Sequence, residues 1–207
     1  KEEPCFDSVL GEAFAAQLAN RSRSAADQLF VIHQNGSHGP AYAERYPYSD
    51  EHFRPACHSN RLDACSHEEV LNAYDNSIRY TDRMVAELIQ QLETRQGEFN
   101  SLLIYASDHG ESLGEQGLYL HGMPYAFAPD EQKKVPMLMW VSPGLREAHG
   151  LDDNCLAKQA HTAVSHDNLF HTILGAFGVR NKRYQSGLDL ISSCTGNRDD
   201  VKVALGR

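Results

Sequence analysis

Asp108 and His109 stand side by side just beyond the apolar run Leu102-Leu103-Ile104-Tyr105, within Ser107-Asp108-His109-Gly110-Glu111-Ser112-Leu113-Gly114-Glu115. A carboxylate oxygen and an imidazole nitrogen are both good ligands for Zn²⁺. A second histidine follows closely in Leu120-His121-Gly122-Met123-Pro124, and a third, His38, lies in Asn35-Gly36-Ser37-His38-Gly39-Pro40. Asp108 and His109 can hold a zinc ion. His38 and His121 are then free to hold a second metal or to hydrogen-bond a phosphoryl oxygen. Phosphoryl transfer builds charge on nonbridging oxygens, and metals or imidazolium groups stabilise that charge. The plainer alternative is a strand end capped by Asp108, with His109 in an ordinary loop.

A nucleophile is harder to find. Ser107 and Ser112 flank the ligand pair, but neither sits at a strand-to-helix elbow, and there is no Gly-x-Ser-x-Gly or P-loop pattern. His52, His58, His67, His149, His161 and His171 do not follow strand ends and read as surface or supporting residues.

The elements that must position these groups can be read from periodicity. Val9, Leu10, Phe14 and Leu18 recur near helical period from Asp7 to about Leu18. Leu29-Phe30-Val31-Ile32 reads as a short buried strand ending at His33, and Gln34 to Pro55 as an irregular loop rich in Gly, Pro, Tyr and His that carries His38. Gly39-Pro40 makes a sharp turn that holds His38 on a rigid loop. Ser66 and Glu69 form a capping box for a long helix with the stripe Val70, Tyr74, Val85, Leu88, Ile89 and Leu92, ended by Gly97. Leu102–Ala106 and Met137–Val141 read as core strands. Ser165 or Asp167 caps a helix containing Leu169, Phe170, Ile173, Leu174 and Phe177, with Gly178 as its stop. Strands alternating with helices imply an α/β sheet of parallel type, whose carboxyl edge collects ligands.

At 207 residues the chain is sized for one core, so a single domain over residues 1–207 is expected. A net charge of -9 excludes nucleic acid as a main partner, since phosphate backbones need a basic face. An acidic protein can still take an anionic lipid head group where a metal supplies positive charge. No apolar run approaches the ~18–20 residues of a membrane span. The chain starts at Lys1 without Met, as a fragment of a longer protein would. Of its 5 cysteines, Cys57 and Cys65 are spaced for a small disulfide loop, and Cys155 and Cys194 can pair over a longer separation, leaving Cys5. A cysteine zinc cluster is the competing reading, but no Cys-x-x-Cys occurs. Disulfides imply an oxidising periplasmic or extracellular compartment.

The stretches Gly36-Ser37-His38-Gly39-Pro40 with Tyr42, Arg45-Tyr46, Asn72 with Tyr74-Asp75-Asn76, Ser107 to Glu115, Tyr119-Leu120-His121-Gly122 and Ala128-Pro129 resemble the phosphoethanolamine transferases that modify lipid A. The mobile colistin-resistance enzymes belong to that family. The resemblance implies a fold of the alkaline-phosphatase/sulfatase type: an α/β sheet flanked by helices, here without the domain's N-terminal strands. It implies a periplasmic domain following transmembrane helices in the inner membrane of a Gram-negative bacterium, those helices being absent here. The implied reaction moves phosphoethanolamine from phosphatidylethanolamine onto a threonine and then to a lipid A phosphate. Carried over by motif, Asp108 and His109 match zinc ligands. His38 and His121 match histidines that contact the phosphoryl group or a further zinc. The family's threonine nucleophile and glutamate ligand lie upstream of the region matched here. The chain is therefore expected to hold half a metal site and to be inactive alone. A sulfatase or phosphoglycerol-transferase relative, or a structural or binding fragment without catalysis, are the competing readings.

Overall fold

The computed structural model describes residues 5–21 and 26–195; the remainder of the expected 1–207 domain lies outside them. The elements in chain order are helix α1 (Ser8–Ala19), helix α2 (His67–Glu93), strand β1 (Leu102–Ala106), strand β2 (Ser112–Leu113), strand β3 (Tyr119–Leu120), helix α3 (Asp130–Lys133), strand β4 (Met137–Val141) and helices α4 (Pro143–His149), α5 (Asp153–Gln159) and α6 (Asp167–Ala176). Strands β1 and β4 are neighbours in one two-stranded sheet, and β2 pairs with β3 in another. The chain divides into two compact units, Lys1–Thr94 with Ile104–Met139, and Arg95–Leu103 with Trp140–Arg207.

Helix α2 is the frame of the first unit. The Ser66 hydroxyl accepts from the Glu69 N–H, while the Glu69 carboxylate accepts from the Ser66 N–H at 2.7 Å, so the expected capping box closes. This exchange satisfies two of the amides that a helix start leaves unpaired. The helix stops at Glu93 rather than near Gly97. The Thr94 hydroxyl donates to the Gln91 carbonyl at 2.9 Å and so meets one of the last carbonyls itself. Val70 and Ala73 on its first turns pack with Tyr42, Cys57, Leu62 and Leu113 in the core of this unit. Asn76, fully buried, accepts from the His52 and Phe53 amides, both at 2.8 Å, and donates to the Phe53 carbonyl at 2.9 Å. A single helix side chain thus satisfies a turn of irregular loop that has no ladder of its own. Cys57 and Cys65 are bonded across a separation of 8 residues, as their spacing implies.

The expected strand at Leu29–Ile32 does not form. Those residues carry no strand assignment, and Leu29 and Val31 are 58% and 83% exposed. A strand needs a hydrogen-bonding neighbour, and among the described residues no strand lies alongside this segment. Phe30 meets Phe14 of α1 edge-on at 5.3 Å between ring centres.

In the second unit the Ser142 hydroxyl accepts from the Ser101 and Leu145 amides, at 2.8 and 3.3 Å, where β4 turns into α4. Asp152 caps α5 through the Asn154 and Cys155 amides. The second disulfide, Cys155–Cys194, ties α5 to the turn at Ser192–Cys194, and Cys5 stays free and exposed. Helix α6 ends at Ala176, two residues before Gly178 at φ +67, the left-handed position a glycine adopts without strain. His171, expected on the surface or in support, is buried in this unit, where its Nδ1 accepts from the Gln185 amide at 3.0 Å. No described helix is long and apolar enough to cross a membrane.

Candidate metal centre

Three chain segments of the first unit converge on one point. His38 comes from the turn after Asn35, His109 from the loop beyond β1, and His121 from the end of β3. A ligand atom from each lies within 4.8 Å of the other two. The His109 and His121 rings stack 3.8 Å apart at 30°, and His38 meets His121 edge-on at 4.9 Å.

Each histidine is held from behind. The Asp7 carboxylate, which makes no capping bond to α1, accepts from the Asn35 and Gly36 amides at 3.1 and 2.8 Å and fixes the turn ahead of His38. Arg45 Nε donates to the His38 carbonyl at 2.8 Å. A Cβ at Gly39 would stand 2.5 Å from Leu120 and 2.7 Å from the Tyr42 hydroxyl, so only glycine lets this loop approach so closely. Gly110 is pinned to α3 through its N–H and the Gln132 carbonyl, 3.1 Å apart. A Cβ there would lie 1.9 Å from the Glu131 carbonyl oxygen.

The hairpin explains the third member. Antiparallel β2 and β3 set Ser112 opposite Leu120 and Leu113 opposite Tyr119. One step further along that register, Glu111 faces His121, and Glu111 Oε1 accepts from His121 Nδ1 at 2.8 Å. Glu111 Oε2 accepts from the Tyr42 hydroxyl at 2.9 Å. Burial first, and then the charge and hydrogen bond of Glu111, push the Tyr42 phenol well above the ordinary tyrosine range, so it remains a donor. Leu120, immediately before His121, holds a left-handed φ of 65°, a strained conformation for a branched residue, and its side chain packs on the core around Tyr42.

His38 Nδ1 lies 2.7 Å from the Gly39 carbonyl and His109 Nδ1 lies 3.0 Å from the Gly110 carbonyl. Carbonyls and carboxylates only accept, so Nδ1 is the donor in all three histidines, and Nε2 is the nitrogen left to face a ligand. Histidines arranged in this way are what a zinc site uses.

Asp108 stands apart from this group. Its side chain is 79% exposed, and its Oδ1 lies 3.8 Å from His109 Nε2 while accepting the His109 amide at 3.1 Å. Asp108 remains beside His109, the pair named as zinc ligands from the sequence, while His38 and His121 come to the same point. The closest set is His38, His109 and His121, with Asp108 at its open margin. Glu111 and Tyr42 escaped sequence reasoning as functional residues. The signal was available in the glycine-punctuated hairpin from Ser112 to Leu120, whose register brings Glu111 to His121.

A sequence model of the family described as Sulfatase matches residues 1–179. The chain is 46% identical to "Phosphoethanolamine transferase EptA" of Escherichia coli K12 over 191 residues, which is 92% of this chain and 34% of that protein. It is 40% identical to "Phosphatidylethanolamine transferase Mcr-1" of Escherichia coli over 158 residues, 76% of this chain and 28% of that protein. The chain thus spans about a third of the length of these relatives. Among solved structures, the soluble domain of lipooligosaccharide phosphoethanolamine transferase A from Neisseria meningitidis superposes with a TM-score of 0.88 at 37% identity, covering 93% of this chain and 57% of that one. The C-terminal periplasmic domain of EptC from Campylobacter jejuni gives a TM-score of 0.81 at 39% identity, covering 93% and 60%. The expected alkaline-phosphatase/sulfatase-like fold is the one these structures share. With a match running from the first residue through the histidine-bearing loops and past α6, the chain belongs to the sulfatase family.

Proposed function

We propose that this chain forms the histidine-bearing part of the active site of a zinc-dependent phosphoethanolamine transferase acting on lipid A. The observation that carries the reading is the convergence of His38, His109 and His121 with every Nδ1 engaged by an acceptor. Relatives named as phosphoethanolamine transferases support the choice of transferred group.

His38, His109 and His121 would hold the metal, with Asp108 able to join from the margin. When bound, zinc supplies Lewis-acid stabilisation of phosphoryl oxygens. The chain's own residues keep the imidazoles in one tautomer and fix their loops through Asp7, Arg45, Gly110 and Glu111. In the first half-reaction the phosphorus–oxygen bond to diacylglycerol breaks as a bond to a threonine oxygen forms. In the second, a lipid A phosphate oxygen displaces that threonine. The family resemblance places the threonine nucleophile upstream of the residues matched here. The 207 residues alone are expected to transfer nothing.

The test is expression of the full-length protein in a polymyxin-sensitive Gram-negative host, with mass spectrometry of its lipid A. The wild type should add phosphoethanolamine, and His38→Ala, His109→Ala and His121→Ala should each abolish the addition. Wild-type protein that leaves lipid A unmodified, or a triple variant that still modifies it, would overturn the proposal.

A further inference from the structure

Glu111 is 7% exposed, yet it is a carboxylate at the edge of a site that is otherwise open to solvent. A buried carboxylate is costly unless its oxygens are matched by donors, and removing those donors costs more than the pair contributes. Here both oxygens are matched. Oε1 takes the His121 Nδ1 proton at 2.8 Å and lies 3.5 Å from the Gly39 amide, a weak contact. Oε2 takes the Tyr42 hydroxyl proton at 2.9 Å, and Tyr42 is itself 1% exposed.

The three histidines differ in how their tautomer is set. His38 and His109 each bond the carbonyl of the next residue, a local contact that travels with the loop. His121 alone depends on a side chain ten residues away, across a hairpin. The same carboxylate reaches, through Tyr42 and Gly39, the loop that carries His38. Two of the three imidazoles are thus registered to one buried anion.

We infer that Glu111 is a positioning residue. It fixes the proton of His121 on Nδ1, turns Nε2 toward His38 and His109, and locks the His38 loop to the β2–β3 hairpin through Tyr42. It acts through His121 and touches no substrate. The inference rests on the proposed three-histidine metal site. It adds that the affinity of that site is set by a group which is not a ligand.

The test combines zinc affinity, by competition with a chromophoric chelator, and long-range ¹H–¹⁵N spectra of the histidine rings. Glu111→Leu, which removes both acceptors at similar volume, should weaken zinc binding about 10–100-fold, the usual effect of losing an outer partner of a ligand histidine. It should also move His121 toward the Nε2–H tautomer and leave His109 unchanged. Glu111→Gln keeps an acceptor for His121, so it should retain the Nδ1–H form and recover most of the affinity. A folded Glu111→Leu protein with wild-type affinity and an unchanged His121 tautomer would overturn the inference while leaving the metal site standing. Wild-type protein that binds no zinc would overturn both. Should Glu111→Leu fail to fold, Glu111→Gln decides: retention of the Nδ1–H tautomer supports the assignment, and its loss refutes it.

Discussion

The imidazoles of His109 and His121 lie face to face, 3.8 Å between centres, although one follows β1 and the other ends β3. Stacking at that distance links the two loops, so displacing either ring moves the other. With three imidazoles and Asp108 at the margin, the variants should rank. His38→Ala, His109→Ala and His121→Ala should each lower zinc affinity by at least about tenfold, since a three-ligand site falls to two. Asp108→Ala should cost the 207-residue chain less than any of them. Isothermal titration of the four variants against zinc checks the order. An Asp108→Ala loss larger than the three histidine losses would return the centre to the Asp108–His109 pairing.

Gly110→Ala should disable the same centre without altering a ligand. The new methyl would sit 1.9 Å from the Glu131 carbonyl oxygen, and backbone cannot rotate away as a side chain can. Overpacking of this kind costs about 1–3 kcal/mol, and relief requires α3 to separate from the loop holding His109. The expected result is a lower Tm together with weaker zinc binding, read by calorimetry on one preparation.

The loop closed by Cys57 and Cys65 lies against the α2 core, where Cys57 packs with Val70 and Leu62. In the chain-entropy picture a ring of this size stabilises by roughly 2–3 kcal/mol. A Cys57→Ser, Cys65→Ser double variant should unfold at lower urea by a corresponding amount. It should also lose part of the sensitivity of unfolding to reductant, the remainder coming from Cys155–Cys194, as equilibrium denaturation with and without dithiothreitol would show.

Alkaline pH should destabilise the first unit through Tyr42. In the unfolded chain its phenol ionises near its ordinary value of 10.0, whereas burial and Glu111 hold it protonated in the fold. Above that pH the unfolded state binds fewer protons than the folded state, so stability falls as pH rises. The contribution is fully present below pH 10 and declines above it. Tyr42→Phe should flatten this decline, as seen in Tm measured from pH 8 to about 11, even though it lowers stability at neutral pH by leaving Glu111 Oε2 without its donor.

Where a stretch carries its own stop and start signals, its sequence was readable. The capping box at Ser66, the glycine stop at Gly178 and the apolar runs of β1 and β4 lie where their local chemistry puts them. The Cys57–Cys65 disulfide followed from spacing, whereas Cys155–Cys194, which spacing only allows, is fixed by the fold that brings α5 to Cys194. Long-range partners were not readable in this way. Leu29–Ile32 has strand composition but no ladder partner among the described residues, and composition cannot show that. Glu111 sits in a Gly-Glu-Ser context that reads as a solvated loop, and only the hairpin register turns it inward toward His121 and Tyr42. The histidine cluster is likewise a long-range product: the β2–β3 register carries His121 back to Glu111, and its ring meets that of His109 from the loop beyond β1.

The exposed run Leu29-Phe30-Val31-Ile32 has a practical consequence for anyone handling the chain by itself. Four apolar side chains in a row, with no charge among them and no neighbouring strand among the described residues, form a ready template for intermolecular pairing. The net charge of -9 opposes self-association but is spread over the whole sequence, with none of it on this segment. Solubility should therefore be limited by this one stretch. Val31→Lys should raise the concentration at which light scattering first appears, because it places a gatekeeper charge on the most exposed of the four residues.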